Sequence, residues 1–175
     1  MIWYNMTSEM HPISVGEDAP VGFQEHDHKN CVETALATAD ARCREEGLRL
    51  TPVRRKVLEM LLQDHKSLGA YAILDRLREA GFGSQPPVAY RALDFLVQYG
   101  FVHKIERLNA FVACSHPGEV HSPAFMICRK CDAVAEAQSA PSNGVLGAAA
   151  RAAGFEIERT VVEAEGLCPD CTEKA

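Results

Sequence analysis

The chain has 175 residues, of which 47% are hydrophobic, and a formal net charge of −6. It is long enough for one ordinary domain or two small ones around a packed core. No apolar run approaches the roughly 18–20 residues that span a bilayer, and the acidic N-terminus lacks the pattern of a secretory signal. These features exclude a membrane protein and predict a cytoplasmic one, in which seven cysteines indicate metal or redox chemistry rather than disulfides.

The charge is unevenly distributed along the chain. Residues 1–41 carry a net charge of −6, residues 42–107 carry +4 and residues 108–175 carry −4. A basic middle between acidic ends is compatible with docking on phosphate, although +4 is a weak signal by itself.

The first predicted element is a tail. Residues 1–31 lack periodicity and are predicted to be mobile. Within them, His26, His28 and Cys31 are able to bind a metal but are more typical of solvated side chains. From Val32 onward, apolar residues recur at three- and four-residue steps and predict a first helix.

Three more helices are predicted in the basic middle of the chain. Thr51-Pro52 marks the start of the second helix, with Thr as N-cap and Pro at the first helical position. The third helix covers residues 71–80. The fourth follows Pro86-Pro87, and its apolar face is formed by Tyr90, Leu93, Leu96 and Val97.

A β-hairpin is predicted after these helices. Two β-rich runs, 101–105 and 110–114, are separated by Arg107-Leu108-Asn109. Helices followed by a hairpin describe a winged helix-turn-helix, in which the fourth helix enters the major groove of double-stranded DNA and the hairpin is the wing. On this pattern alone, a small α+β domain without a ligand is an equally good interpretation.

The remainder of the chain predicts a second, smaller unit. Its elements are two short strands, an alanine-rich helix and an alternating strand, at 124–127, 133–136, 145–153 and 155–163. The predicted fold class is therefore α+β, with a winged-helix domain over 32–114, a hinge over 115–122 and a small α/β dimerisation domain over 123–175. So small a unit gains stability from zinc and from pairing.

Two Cys-x-x-C pairs carry the strongest chemical signal. Cys128/Cys131 and Cys168/Cys171 each place two thiols on one tight turn, which suits two corners of a tetrahedron. Together the two turns predict a closed four-sulfur zinc site, which leaves no open position and is therefore structural. A redox pair would need a βαβ context and gives no reason for a second pair.

The residues alone do not decide whether the chain has a second metal site. Several metal-capable side chains fall where the two units join, namely His103, Cys114, His116, His121 and Glu136. A lone histidine is more often a surface or core residue than a ligand, and the spacing of these residues is loose.

A resemblance to a known family adds to this picture. The segments that carry it are Arg49-Leu50-Thr51-Pro52-x-Arg54, Pro86-Pro87-x-x-Tyr90-Arg91-Ala92-Leu93, Gly100-Phe101-Val102-His103-Lys104 and the paired cysteines. In this order they resemble the ferric uptake regulator family over about residues 32–173. Two further segments, Ala92-Leu93-Asp94-Phe95-Leu96 and His121-x₆-Cys128-x₂-Cys131, are most similar to its zinc uptake regulator branch.

The resemblance implies a homodimeric transcriptional repressor that binds operator DNA when zinc occupies a regulatory site, and that controls genes of zinc uptake and homeostasis. It also implies two zinc ions per chain and contact of Tyr90 and Arg91 with DNA. Each Cys-x-x-C turn is called a knuckle. The four knuckle cysteines match the structural site of the branch. The regulatory ligands that it implies are His103, Cys114, His121 and Glu136, while His116 matches no ligand.

One departure from the family pattern concerns the DNA contacts. Where the family has Thr and a β-branched residue before Tyr-Arg, this chain has Val88-Ala89, so a hydroxyl that reaches phosphate is lost.

Other classes of function are weighed against a repressor. A zinc deaminase needs His-x-Glu before Pro-Cys-x-x-Cys, and no histidine stands before Cys168 in residues 163–167. We therefore expect no enzyme, no small-molecule substrate and no membrane partner. A zinc-stabilised interaction module, a redox sensor, and an iron- or peroxide-sensing member of the same family are the alternatives.

Overall fold

The computed structural model describes residues 28–63, 66–83, 85–118, 121–139 and 143–173. Its helices are His28–Glu45 (α1), Pro52–Gln63 (α2), Ala70–Glu79 (α3), Pro86–Gln98 (α4), Val145–Ala153 (α5) and Pro169–Glu173 (α6). Its strands are Leu68–Gly69 (β1), Val102–Ile105 (β2), Ala110–Ala113 (β3), Ser122–Cys128 (β4), Val134–Ser139 (β5) and Val162–Gly166 (β6). Within the described residues, no helix is both long and apolar enough to cross a bilayer.

The N-terminal unit is built around α2, which packs against α1, α3 and α4. Apolar residues at helical spacing face this centre and are almost fully buried, among them Val57, Leu61, Ile73, Leu77, Leu93 and Leu96. Each such side chain contributes roughly 1.5–3 kcal/mol by leaving water. The predicted start of α2 is confirmed, because the Thr51 Oγ1 accepts a hydrogen bond from the Arg54 N–H at 3.4 Å and Pro52 is the first helical residue.

The predicted hairpin is also confirmed. Strands β2 and β3 pair antiparallel, and β1 adds to the other side of β3, which gives the order β1-β3-β2. The connecting turn ends at Asn109, whose φ of 46° lies in the left-handed region that asparagine tolerates. Helices α2 to α4 followed by this hairpin form a winged helix, so the predicted fold class is correct for the first unit.

The second unit is a three-stranded sheet of order β5-β4-β6. Strand β5 is antiparallel to β4, whereas β6 is parallel to β4 and is reached through α5. Helix α5 ends at Gly154, whose φ of 67° places it in the left-handed region that suits glycine after a helix.

The wing packs directly on this sheet. Ile105 and Val112 of the wing share one buried cluster with Phe125, Ile127 and Val134 of the sheet. This common core holds β2 against the face of β4 and β5, and it brings side chains of both units close together.

Two expectations about element boundaries are wrong. Helix α1 begins at His28, before the predicted start at Val32, while residues 1–27 of the predicted tail lie outside the described part of the chain. The predicted strand over 155–163 is also shorter than expected, since β6 begins only at Val162, where pairing with β4 begins. The alternating segment before it, 155–161, has no regular structure.

The apolar face of α4 is only partly covered. Leu93 and Leu96 are buried as expected, but Tyr90 is 42% exposed. The buried stripe instead runs through Ala89, Ala92 and Phe95. A 3.6-residue period leaves the edges of a stripe ambiguous, and the packing of α4 against α2 decides which edge is covered.

We expect the core around α2 to dominate the stability of the first unit. Leu61→Ala should lower the free energy of unfolding by about 2–5 kcal/mol, because Leu61 is 1% exposed and its loss leaves a cavity. Tyr71→Ala, at a position that is 78% exposed, should change it by less than about 0.5 kcal/mol. Denaturant unfolding followed by circular dichroism measures both, and equal midpoints for the two variants would contradict this assignment of the core.

Candidate metal centres and nucleic-acid interface

The four knuckle cysteines meet at one end of the second sheet. The parallel pairing of β4 with β6 puts Cys128 opposite Gly166, so that Cys168 follows directly beyond the end of β6. The Arg129 N–H donates to the Gly166 carbonyl at 3.0 Å and holds the first knuckle against the second. The remaining two cysteines lie in the turn after β4 and in α6.

The geometry of these four sulfurs suits a metal. All four Sγ atoms lie within 4.8 Å of one another, and those of Cys131 and Cys168 are 3.7 Å apart. Two thiolates bound to one zinc at 2.3 Å in a tetrahedron are about 3.8 Å apart, whereas a disulfide bond is about 2.05 Å long. The cysteines are free and, except for the half-buried Cys131, buried.

The acidities of these thiols differ strongly. The backbone N–H groups of Cys168, Lys130 and Cys131 stabilise a thiolate at Cys128 and lower its pKa to about 6. Burial, followed by hydrogen bonding with the other thiols, raises the pKa of Cys171 to about 12. Four thiolates at this spacing repel one another, so the full set is ionised only around a cation.

A second group of metal-capable side chains lies where the wing meets the sheet. It consists of His103, Cys114, His121 and Glu136, and one ligand atom from each lies within 4.8 Å of the others. The Glu136 Oε1 is the common neighbour, at 2.8 Å from the His121 Nε2 and 3.3 Å from the His103 Nε2. The Cys114 Sγ is 3.6 Å from the His121 Nε2.

Each member of this group comes from a different segment. His103 is on β2, and Cys114 follows β3, where its N–H donates to the Phe101 carbonyl. His121 precedes β4, and Glu136 is on β5.

Glu136 is the one charged residue that is buried among those the structure describes, with 7% of its surface exposed. Burial opposes its ionisation more than any other effect. The favourable interactions of His103, the Ser115 N–H and His121 with the carboxylate together outweigh burial and lower its pKa to about 2. The Ser115 N–H holds Oε2 at 2.9 Å, which leaves Oε1 turned toward the cluster.

A buried imidazole nitrogen shows that the set fits a metal ion. The His103 Nε2 makes no hydrogen bond of good geometry among the described residues, although it lies 3.3 Å from Glu136. A buried nitrogen left in this state is costly unless it binds a cation. The His116 ring lies 6.2 Å from that of His121, and His116 is not part of the four-residue group.

The surface predicted to contact DNA is accessible. Tyr90 and Arg91 are both exposed on α4, and a cleft between α4 and the wing is lined by Tyr90, Lys104 and Asn109. At the departure from the family pattern, Ala89 is fully buried and Val88 is exposed. Val88 thus occupies the surface position near the helix start without offering a hydroxyl.

One exposed aromatic does not stand out in the sequence. Tyr71 lies in the first turn of α3 and is 78% exposed, more than any other aromatic residue that the structure describes. The sequence pattern of this helix gives Tyr71 no particular role, and the packing of α3 shows that it faces solvent.

Comparison with known proteins identifies the family of this chain. Residues 45–165 match the model of the ferric uptake regulator family. The zinc uptake regulation protein of Escherichia coli (strain K12) is 39% identical over 146 residues, which cover 83% of this chain and 85% of that protein.

Two solved structures are also similar. A zinc uptake regulator complexed with zinc and DNA superposes with a TM-score of 0.77 at 39% identity, covering 82% of this chain and 96% of that one. The structure of holo XcZur gives a TM-score of 0.72 at 42% identity, covering 80% and 98%. The chain belongs to the ferric uptake regulator family.

Proposed function

We propose that this protein is a zinc-responsive transcriptional repressor that binds operator DNA as a homodimer and controls genes of zinc uptake and homeostasis. The observation that carries the proposal is the second cluster, because its four ligands come from the wing, the connection and the sheet. An ion held there joins the DNA-binding unit to the rest of the protein. The relatives named above, one of them bound to zinc and DNA, support this function.

Cys128, Cys131, Cys168 and Cys171 would hold a structural zinc ion. These residues tie the end of β4 to the start of α6, and they leave no position open for a substrate. In a sheet of three short strands, such a link supplies stability that the small core lacks.

His103, Cys114, His121 and Glu136 would hold a regulatory zinc ion, so that the chain carries two. Two imidazoles, a thiolate and a carboxylate suit zinc, whereas sets without sulfur are friendlier to iron or manganese. This donor set therefore favours a zinc sensor over the iron- or peroxide-sensing alternative.

Zinc, when bound, supplies the positive charge and directed bonds that draw these ligands together. His103 then fixes the wing relative to Glu136, and the fourth helix of each protomer takes a set angle. Recognition helices that meet successive major grooves must be about 34 Å apart, so a fixed angle selects the DNA-binding arrangement.

Tyr90 and Arg91 would contact the operator from α4. Both are exposed, and they lie in the part of the chain that carries a net charge of +4. Arginine commonly reads guanine through two hydrogen bonds in the major groove.

The homodimer would form on the outer surface of the second unit. Val145, Leu146 and Phe155 are large apolar residues with 89%, 53% and 68% exposure. The alternating segment 155–161, which begins with Phe155, has no strand partner among the described residues, and it lines a cleft together with Leu146. A second copy of the chain would bury this apolar surface.

We infer units over 32–114 and 123–175 joined by a hinge over 115–122, in a cytoplasmic protein without enzymatic activity. Both proposed sites use four protein ligands, and catalytic zinc needs an open position.

The structural zinc site makes a first testable prediction. Cys128→Ser should lose about one zinc per chain and unfold or monomerise the second unit, since a structural zinc contributes on the order of 10 kcal/mol to folding. Cys114→Ser, which removes a thiol from the other cluster, should remain a folded dimer. Zinc content, thermal unfolding and sedimentation measure this, and a Cys128→Ser protein with unchanged zinc and midpoint would refute the assignment.

The DNA interface makes a second prediction. Arg91→Ala should weaken operator binding by roughly 1–3 kcal/mol if Arg91 reads a base. Arg129→Ala removes the same charge from an exposed position in the second unit, in the turn between Cys128 and Cys131, and should have a much smaller effect. Fluorescence anisotropy at saturating zinc compares the operator affinities of the two variants. Equal affinities would contradict the assignment of α4 as the recognition helix.

The regulatory site makes a third prediction. His103→Ala should keep the structural zinc and the dimer but need at least about tenfold more zinc for operator binding, because the wing loses its ligand. His116→Ala should behave as wild type. A zinc titration of operator binding tests both variants, and an unchanged midpoint for His103→Ala or a large shift for His116→Ala would show that the sensor lies elsewhere.

A further inference from the structure

A second contact between the wing and the sheet involves Glu163 of β6. Its Oε1 accepts a hydrogen bond from the Glu106 N–H at 2.8 Å, and its Oε2 accepts one from the Arg107 N–H at 3.1 Å. One carboxylate thus holds two successive backbone donors at the tip of the wing, more than 50 residues away in sequence. Such charge-assisted bonds are stronger than neutral ones and fix the position of the turn.

The sheet register aligns this contact with the regulatory site. Phe125 of β4 is paired with Glu136 on one side and with Glu163 on the other. Directly paired residues project from the same face, so the three side chains form one row beneath the wing. With strands about 4.8 Å apart, the two glutamates are separated by about 10 Å.

Every member of this row contacts the wing. Glu136 meets His103 near the start of β2, and the Phe125 ring lies 5.4 Å from the His103 ring. Glu163 meets the turn beyond the end of β2. Between these anchors, Ile105 is fully buried in the core that it shares with Phe125.

A neighbouring ion pair adds little to this arrangement. Arg107 and Glu165 also form a salt bridge, but their side chains are 55% and 34% exposed. Exposed pairs of this kind contribute about 0–1 kcal/mol. The paired backbone hydrogen bonds of Glu163 are therefore the specific part of the contact.

We propose that Glu163 is a positioning residue for the zinc response. The metal ligands anchor the wing at His103, and the apolar core that the wing shares with the sheet is non-directional, so it does not by itself fix the angle of the wing. Glu163 supplies a second anchor at the tip of the wing. This contact sets the angle between wing and sheet that is favoured when zinc is bound. This inference rests on the proposed function for its regulatory meaning, whereas the contact itself is independent of that function.

The test compares two variants of equal charge on the same strand. Glu163→Gln keeps the size of the side chain but places an N–H₂ group against one of the two backbone donors. Glu165→Gln removes the same charge and breaks only the exposed ion pair. A duplex that wild type selects from a random library at saturating zinc serves as the probe, and anisotropy gives the free zinc at half-maximal binding.

We expect Glu163→Gln to raise that zinc midpoint roughly tenfold, the scale of one charge-assisted hydrogen bond. Glu165→Gln should stay within about twofold of wild type. Both variants should keep the dimer and the structural zinc. Equal midpoints for wild type and Glu163→Gln, or equal shifts for the two variants, would overturn the proposal.

Hydrogen exchange provides a measurement that needs no DNA. In zinc-loaded wild type, the amides of Glu106 and Arg107 should exchange at least about tenfold more slowly than unprotected amides. At least one of these two amides should lose protection in Glu163→Gln, whereas both should keep it in Glu165→Gln. Unprotected amides in wild type would overturn the contact even if Glu163→Gln failed to fold, whereas protection without zinc-dependent DNA binding would contradict the proposed function alone.

Discussion

A carboxylate buried where two folded units meet has to be balanced by positive charge, and the arrangement of this protein depends on how Glu136 meets that requirement. The Ser115 N–H fixes one oxygen of Glu136, and the other faces two imidazoles. Because His103 belongs to the wing and Glu136 to the sheet, the charge balance of one side chain also helps to join the two units. A cation bound at this junction would balance the charge of the Glu136 carboxylate.

The two candidate metal clusters differ in how far apart their ligands lie in the fold. The cysteines come from tight turns at one end of a single sheet, so an ion there stabilises that sheet. The second set comes from four segments on both sides of the junction, so an ion there restricts the relative position of the units. In the proposed function, similar zinc chemistry would support folding in one place and regulation in the other.

The sequence predicts local features well. The Thr51-Pro52 helix start, the hairpin and the cysteine turns each depend on residues close together in the chain. Packing against α2 decides which edge of the apolar face of α4 is covered, and it leaves Tyr90 exposed. The strand predicted over 155–163 was partly wrong, because a strand needs a partner and β4 pairs only from Val162 onward.

The assembly of the second cluster depends on long-range pairing, and its ligand set came from family resemblance rather than from spacing. The contact of Glu163 with the wing gives no sequence signal, since that residue is one of several acidic positions in an alternating segment. Only the register of three strands shows that Glu136, Phe125 and Glu163 stand in one row.

The pairing of β4 with β6 positions both the contact with the wing and the cysteine turns. The same register that sets Phe125 beside Glu163 sets Cys128 beside Gly166, next to the second cysteine turn. A slip by one residue would turn Glu163 to the opposite face and displace Cys168 from its partners. One strand register therefore aligns both the cysteine turns and the surface on which the wing packs. If the four cysteines hold zinc as proposed, an ion bound there would also favour the register that places Glu163 beneath the wing.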